Sequence, residues 1–162
     1  KKTLNKIDKK LSINTKNVLR GLNHCKLIEP IIPKSLDKSF NWSDLKKFIE
    51  RIKDEATVYN DSIETIDLIQ KCESEVHDSN EAKPHELGNF DTVFDIVCFY
   101  KCLDVLKIDK LYHSGVPYSQ GEIKISHGNV SSLAPVSLNI IKAIYKETNS
   151  IRSVLISIYY IE

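Results

Sequence analysis

Phe94-Asp95-Ile96-Val97-Cys98-Phe99-Tyr100 decides how the chain is read, together with Gly121-Glu122-Ile123-Lys124-Ile125-Ser126 downstream. Both are short runs rich in apolar and β-branched residues rather than strict alternations. Such runs suit strands covered on both faces by helices, as in a parallel sheet. The expectation is an α/β domain with a Rossmann-like, doubly wound sheet and helices on both faces. Ligands of such sheets sit beyond the strand ends.

Working outward, the sequence switches between apolar runs and helical periodicity. Leu45, Phe48, Ile49 and Ile52 share one face of an expected helix over 44–55, with Ser43 as cap. A strand is expected at 56–60, then a helix over 63–72 carrying Ile63, Ile66 and Ile69. Residues 73–92 are polar, contain Pro84 and Gly88, and read as a long loop. Strands at 93–99, 121–126 and 153–161, and a helix over 137–147, complete the pattern. Residues 26–32 form a further short strand, weakened by Pro30.

The amino-terminal part reads differently. Ile7, Leu11, Ile13, Val18 and Leu22 fall where a helix-turn-helix packs its two helices, and Lys16, Asn17 and Arg20 would then face a nucleic-acid groove. Residues 1–24 are therefore expected to be a helical segment, and 25–162 the α/β domain.

The chain has 162 residues, enough for one core, and 41% of them are hydrophobic. With 23 basic and 22 acidic residues the net charge is +1, so a polyanion would have to find a local patch. There is no apolar stretch of spanning length and no signal-peptide pattern, so a soluble intracellular protein, cytoplasmic or nuclear, is expected away from membranes. Cys25, Cys72, Cys98 and Cys102 lack paired CxxC spacing and read as structural thiols, with no metal site expected. His113 and His127 lack a carboxylate at fixed spacing and read as loop histidines. Methionine is absent and residue 1 is a lysine, which points to a fragment or to residues missing from within the chain.

Over residues 56–161 the order of elements resembles class I S-adenosylmethionine-dependent methyltransferases. Tyr59-Asn60-Asp61-Ser62 looks like the end of that family's second strand, and Phe94-Asp95-Ile96-Val97 is similar to its fourth-strand motif. Gly121-Glu122-Ile123-Lys124-Ile125 resembles the fifth strand of the ribose 2′-O-methyltransferases. The resemblance implies S-adenosylmethionine bound by Asp61, Phe99 and Tyr100, and Lys124 with Asp95 as catalytic residues. RNA or a protein is the implied partner. Residues 29–34 contain no glycine where the cofactor loop should be, which implies a degenerate member. Two other readings fit the same residues. One is a DNA nuclease using Asp95 and Glu122-Ile123-Lys124 around magnesium, with the amino-terminal helix-turn-helix. The other is a structural subunit of a larger assembly.

Overall fold

Phe94 to Tyr100 lies inside a helix. The structure, a computed structural model, describes residues 1–77, 84, 87–112, 122–125, 128–131 and 135–146. In it α1 spans Lys2–Ile7, β1 Ser12–Arg20, β2 Asn23–Ile31, α2 Trp42–Glu50, α3 Ala56–His77, α4 Phe90–Leu106, β3 Glu122–Ile125, β4 Gly128–Ser131 and α5 Pro135–Lys146. The strands expected at 56–60 and 93–99 are therefore corrected to the start of α3 and the middle of α4. The helix expected over 63–72 lies within α3, and β3 falls within the expected 121–126. The strand expected at 153–161 lies outside the described residues. Among the described residues the strands form two separate antiparallel pairs, β1 with β2 and β3 with β4.

α4 is apolar because it is wrapped by other helices rather than stacked in a sheet. Val93, Ile96 and Val97 are fully buried against α2 and α3. A helix buried on most sides carries too broad an apolar face for its period to show. Its length gives it away, since 17 residues from Phe90 run without glycine or proline. It ends at Lys107, which takes φ 55°, while the Ile108 N–H donates to the Leu103 carbonyl at 3.0 Å. That left-handed closing residue and its back-bond satisfy carbonyls the last turn leaves open.

α2 begins at Asn41, whose side-chain oxygen accepts from the Asp44 N–H at 2.8 Å. Leu45, Phe48, Ile49 and Ile52 then enter the core at helical spacing. Phe48 meets Phe40 and Phe90 edge to face, at 5.1 and 5.2 Å between ring centres. Just before α4, Gly88 lies so close to the chain that a β-carbon would stand 2.5 Å from the Pro84 carbonyl and 2.8 Å from Ser39 Oγ. Its own carbonyl accepts from the Phe40 N–H at 2.7 Å, which pins the entry of α4 to the entry of α2.

Glu55, in the turn before α3, ties three elements together. It accepts from Thr3 Oγ1 at 3.0 Å and pairs with Lys6 at 2.7 Å and Lys101 at 3.0 Å, joining α1 and α4 to the α2–α3 turn. Burial alone would raise its pKa, but the Lys6, Lys101 and Thr3 hydrogen bonds together hold it below the ordinary value.

The expected helix-turn-helix is corrected to a β-hairpin. β1 and β2 pair from Ser12↔Ile31 to Arg20↔Asn23, leaving a two-residue turn at Gly21-Leu22. Gly21 takes φ +58°, which primed hairpin turns need at that position. Ile13, Thr15 and Val18 fit such a strand, because β-branched residues lose side-chain freedom in a helix and pack well on a pleated surface. The division expected after residue 24 falls inside β2.

Candidate functional site

α3 runs its apolar face through Ile66, Ile69 and Cys72 and reaches its last turn with Glu73 and His77. These two stand four residues apart, hence on one face. His77 Nε2 lies 3.2 Å from Glu73 Oε2, and the Glu73 residue is only 6% exposed. An imidazole closing a helix faces the negative end of the backbone dipole, which favours a cation there. Beside Glu73, burial pushes the Cys72 thiol up to about 11, so it stays protonated as a core side chain. α5 packs alongside, burying Ile140 and bringing Asn139 Nδ2 to 3.5 Å from Glu75 Oε2. The result is a polar, acidic end of a helix pair holding one imidazole.

Chemically, the Glu73–His77 pair offers one nitrogen and one carboxylate oxygen from adjacent turns, a donor set that suits first-row divalent metals. Among the described residues no three His, Cys, Asp or Glu side chains stand close enough together to hold a metal ion by themselves. The pair is therefore at most part of a metal's shell. The sequence places His85 and Glu86 within the next nine residues and adds His113 and His127, all outside the described residues.

A second grouping lies at the other end of α3 and α4. Thr57, Asp61, Tyr100, Asp104 and Lys107 line a cleft of about 120 Å³ with Leu103, Ile108 and Asp109. Behind it, Thr65 Oγ1 and the Tyr100 hydroxyl lie 2.7 Å apart in a buried hydrogen bond. Asp104 is held below the usual carboxylate range by Lys101, which sits 2.8 Å away.

The residues singled out from sequence are scattered by this fold. Asp61 and Tyr100 line one cleft, between two helices rather than at a sheet edge. Phe99 is half-buried one position away on α4, and Asp95 lies on the exposed face of the same helix. Lys124 is in β3, paired in register with Asn129. Lys16, Asn17 and Arg20 are exposed on β1, where Lys16 makes an ion pair with Glu29 at 2.6 Å. Sequence reasoning missed Glu73 and His77 because 73–92 reads as polar loop. The signal was present: Ile66, Ile69, Cys72 and Val76 continue one apolar stripe through that boundary, so the helix had reason to go on.

Comparison with known proteins overturns the methyltransferase resemblance. The chain is 32% identical over 104 residues to the pyridinium-3,5-bisthiocarboxylic acid mononucleotide nickel insertion protein of Acetivibrio thermocellus, covering 63% of this chain and 26% of that protein. It is 33% identical over 103 residues to the protein of that name from Clostridium acetobutylicum, covering 59% and 24%. Against that of Staphylococcus saprophyticus it is 34% identical over 91 residues, covering 55% and 23%. The match thus spans about a quarter of the length of these relatives. No solved structure matches the chain.

S-adenosylmethionine as cofactor, methyl transfer, the nuclease alternative and the RNA-binding reading that came with them are corrected accordingly. The physical reason is visible in α3 and α4. The supposed second-strand end and fourth-strand motif are helical, so Asp61 and Asp95 do not stand at the carboxyl ends of strands where that cofactor would lie. Among the described residues no helix is long and apolar enough to cross a membrane. A family model for nickel insertion proteins matches residues 1–156, nearly the whole chain, and the chain belongs to that family.

Proposed function

We propose that this chain takes part in placing nickel into a pyridinium bisthiocarboxylic acid mononucleotide, the substrate named for its relatives, and that Glu73 and His77 hold the metal on the way. The observation that carries the reading is the carboxylate–imidazole pair closing α3, in a chain whose family handles nickel. Nickel here is cargo.

A carrier must bind its metal firmly enough to collect it and loosely enough to give it up. Two side chains from adjacent turns meet that demand better than a closed shell of four or more donors, because open positions remain for the acceptor's own ligands. Neutral His77 Nε2 donates a lone pair to the ion. The Glu73 carboxylate lies beside the same nitrogen, so it either shares the ion or balances its charge.

The test is calorimetric titration of the chain with nickel chloride, followed by incubation of the loaded protein with the bisthiocarboxylic mononucleotide and mass analysis of the nucleotide. The reading expects His77→Ala to weaken nickel binding by about 10-fold or more, the scale on which groups supporting a metal site act. Glu73→Gln should weaken it less. Unchanged binding and unchanged delivery in the double variant would overturn it.

A further inference from the structure

The outward face of α4 carries a row that the Glu73–His77 pair does not use and that only Cys98 joins to the edge of the core. Asp91, Asp95, Cys98, Cys102 and Val105 follow one another at spacings of four, three, four and three, so they form one stripe along the helix. Along it Asp91, Asp95 and Cys102 are exposed, Cys98 is partly so, and Val105 is 62% exposed. Both cysteines are free thiols.

We propose that Cys98 and Cys102 form a two-thiolate site on α4 that chelates a nickel ion, a deepening of the proposed function and resting on it. Residues four apart on a helix hold their β-carbons about 5–6 Å apart, which lets two sulfur atoms converge on one ion without moving the backbone. The chain's remaining cysteines offer nothing comparable, since Cys72 is buried in the core and Cys25 lies on the hairpin. Sulfur also matches the destination. The relatives' substrate is named for two thiocarboxylic groups, so nickel held by thiolates would pass from sulfur donors to sulfur donors.

The exchange balances without an oxidant or reductant. Loading forms two nickel–sulfur bonds and releases the two thiol protons to solvent. Delivery breaks those bonds as two bonds to the acceptor's sulfurs form, and the cysteines regain two protons. Burial first, then the neighbouring Cys102 and Asp95 charges, push the Cys98 thiol up to about 12.

The experiment is anaerobic titration of the whole chain with nickel chloride, reading the near-ultraviolet thiolate-to-nickel charge-transfer absorption. Wild type should give a band saturating at one ion per chain. Cys102→Ser, at an exposed position that folding does not depend on, should abolish the band, and so should Cys98→Ser. Cys25→Ser should keep it. Nickel should also protect Cys102 from alkylation in wild type. A band unchanged in Cys102→Ser, or no band while calorimetry shows nickel bound, would overturn the proposal. His77→Ala should retain the band. Nickel bound with the band present but never passed to the nucleotide leaves this site standing and removes the proposed function instead.

Discussion

The α4 helix and the β1–β2 hairpin carry similar apolar residues and treat them in opposite ways. On α4, Val93, Ile96 and Val97 are fully buried. On the hairpin, Leu19 and Ile28 are 62% and 61% exposed, and Leu22 at its tip is 97% exposed. Within the hairpin strands only Ser12, Val18, Leu27 and Glu29 are half-covered, all on one face, while Ile13, Thr15, Asn17, Leu19, Lys26 and Ile28 on the other face are exposed. The difference teaches that composition tells which residues can be buried, while neighbours decide which ones are. It also predicts where stability resides.

The sharpest way to break this comparison is to cut the core side. Ile96→Ala removes three heavy atoms from a site that α2 and α3 close off, so unfolding free energy in urea should fall by about 2–5 kcal/mol. A loss under about 1 kcal/mol would mean that α4 is not the buried centre. Gly88→Ala comes next. Its β-carbon would press on two carbonyls and Ser39 Oγ, and backbone cannot rotate aside as a long side chain can. A loss of about 1–3 kcal/mol is expected from that overpacking. Tyr100→Phe should cost about 0.5–1.5 kcal/mol in the same assay, because it removes the buried 2.7 Å hydrogen bond to Thr65 Oγ1, which keeps its own donation to the Asp61 carbonyl.

How much of this was legible follows from the physics of each segment. α2 was readable because an amphipathic face repeats over several turns beside a capping residue, although the cap proved to be Asn41 rather than Ser43. α5 was placed nearly correctly for the same reason. α4 failed because burial on most sides of residues 92–100 blurs the helical period, and a seven-residue window then resembles a strand. The hairpin is hidden because Lys16, Asn17 and Arg20 invite a groove-binding reading, and Gly21 marks a turn only when the runs on both sides of it are strands. Glu73 with His77, and Cys98 with Cys102, become pairs only when α3 and α4 are known to be helices, since four-residue spacing means one face only there.

The Glu55 hub offers a finer cut between regions, since it fastens α1 to the body and leaves the hairpin untouched. Its pKa is lowered on folding, so its contribution is fully present above the unfolded value, ordinarily 4.5, and is lost as pH falls through the folded value. Glu55→Gln should therefore be less stable than wild type at neutral pH by about 1 kcal/mol, the upper end for partly exposed pairs. The gap should close in acid below the carboxylate range. A pH-independent gap would assign the loss to packing rather than charge.

The smallest effect is expected on the hairpin, where the comparison is most exposed to refutation. Leu19→Ser and Ile28→Ser together delete two large apolar side chains, which in the core would be ruinous. Here each already spends most of its surface in water, so little transfer free energy is at stake. The cross-strand ladder from Ser12↔Ile31 to Arg20↔Asn23 is made by backbone and survives both changes. Lys16 keeps its ion pair with Glu29, itself worth under about 1 kcal/mol at this exposure. Unfolding free energy should thus shift by no more than about 0.5 kcal/mol, the range of ordinary surface substitutions. A loss of several kcal/mol in this double variant would show that the outer hairpin face is covered in solution, and that the contrast between the two regions lies in what packs on them rather than in how they fold.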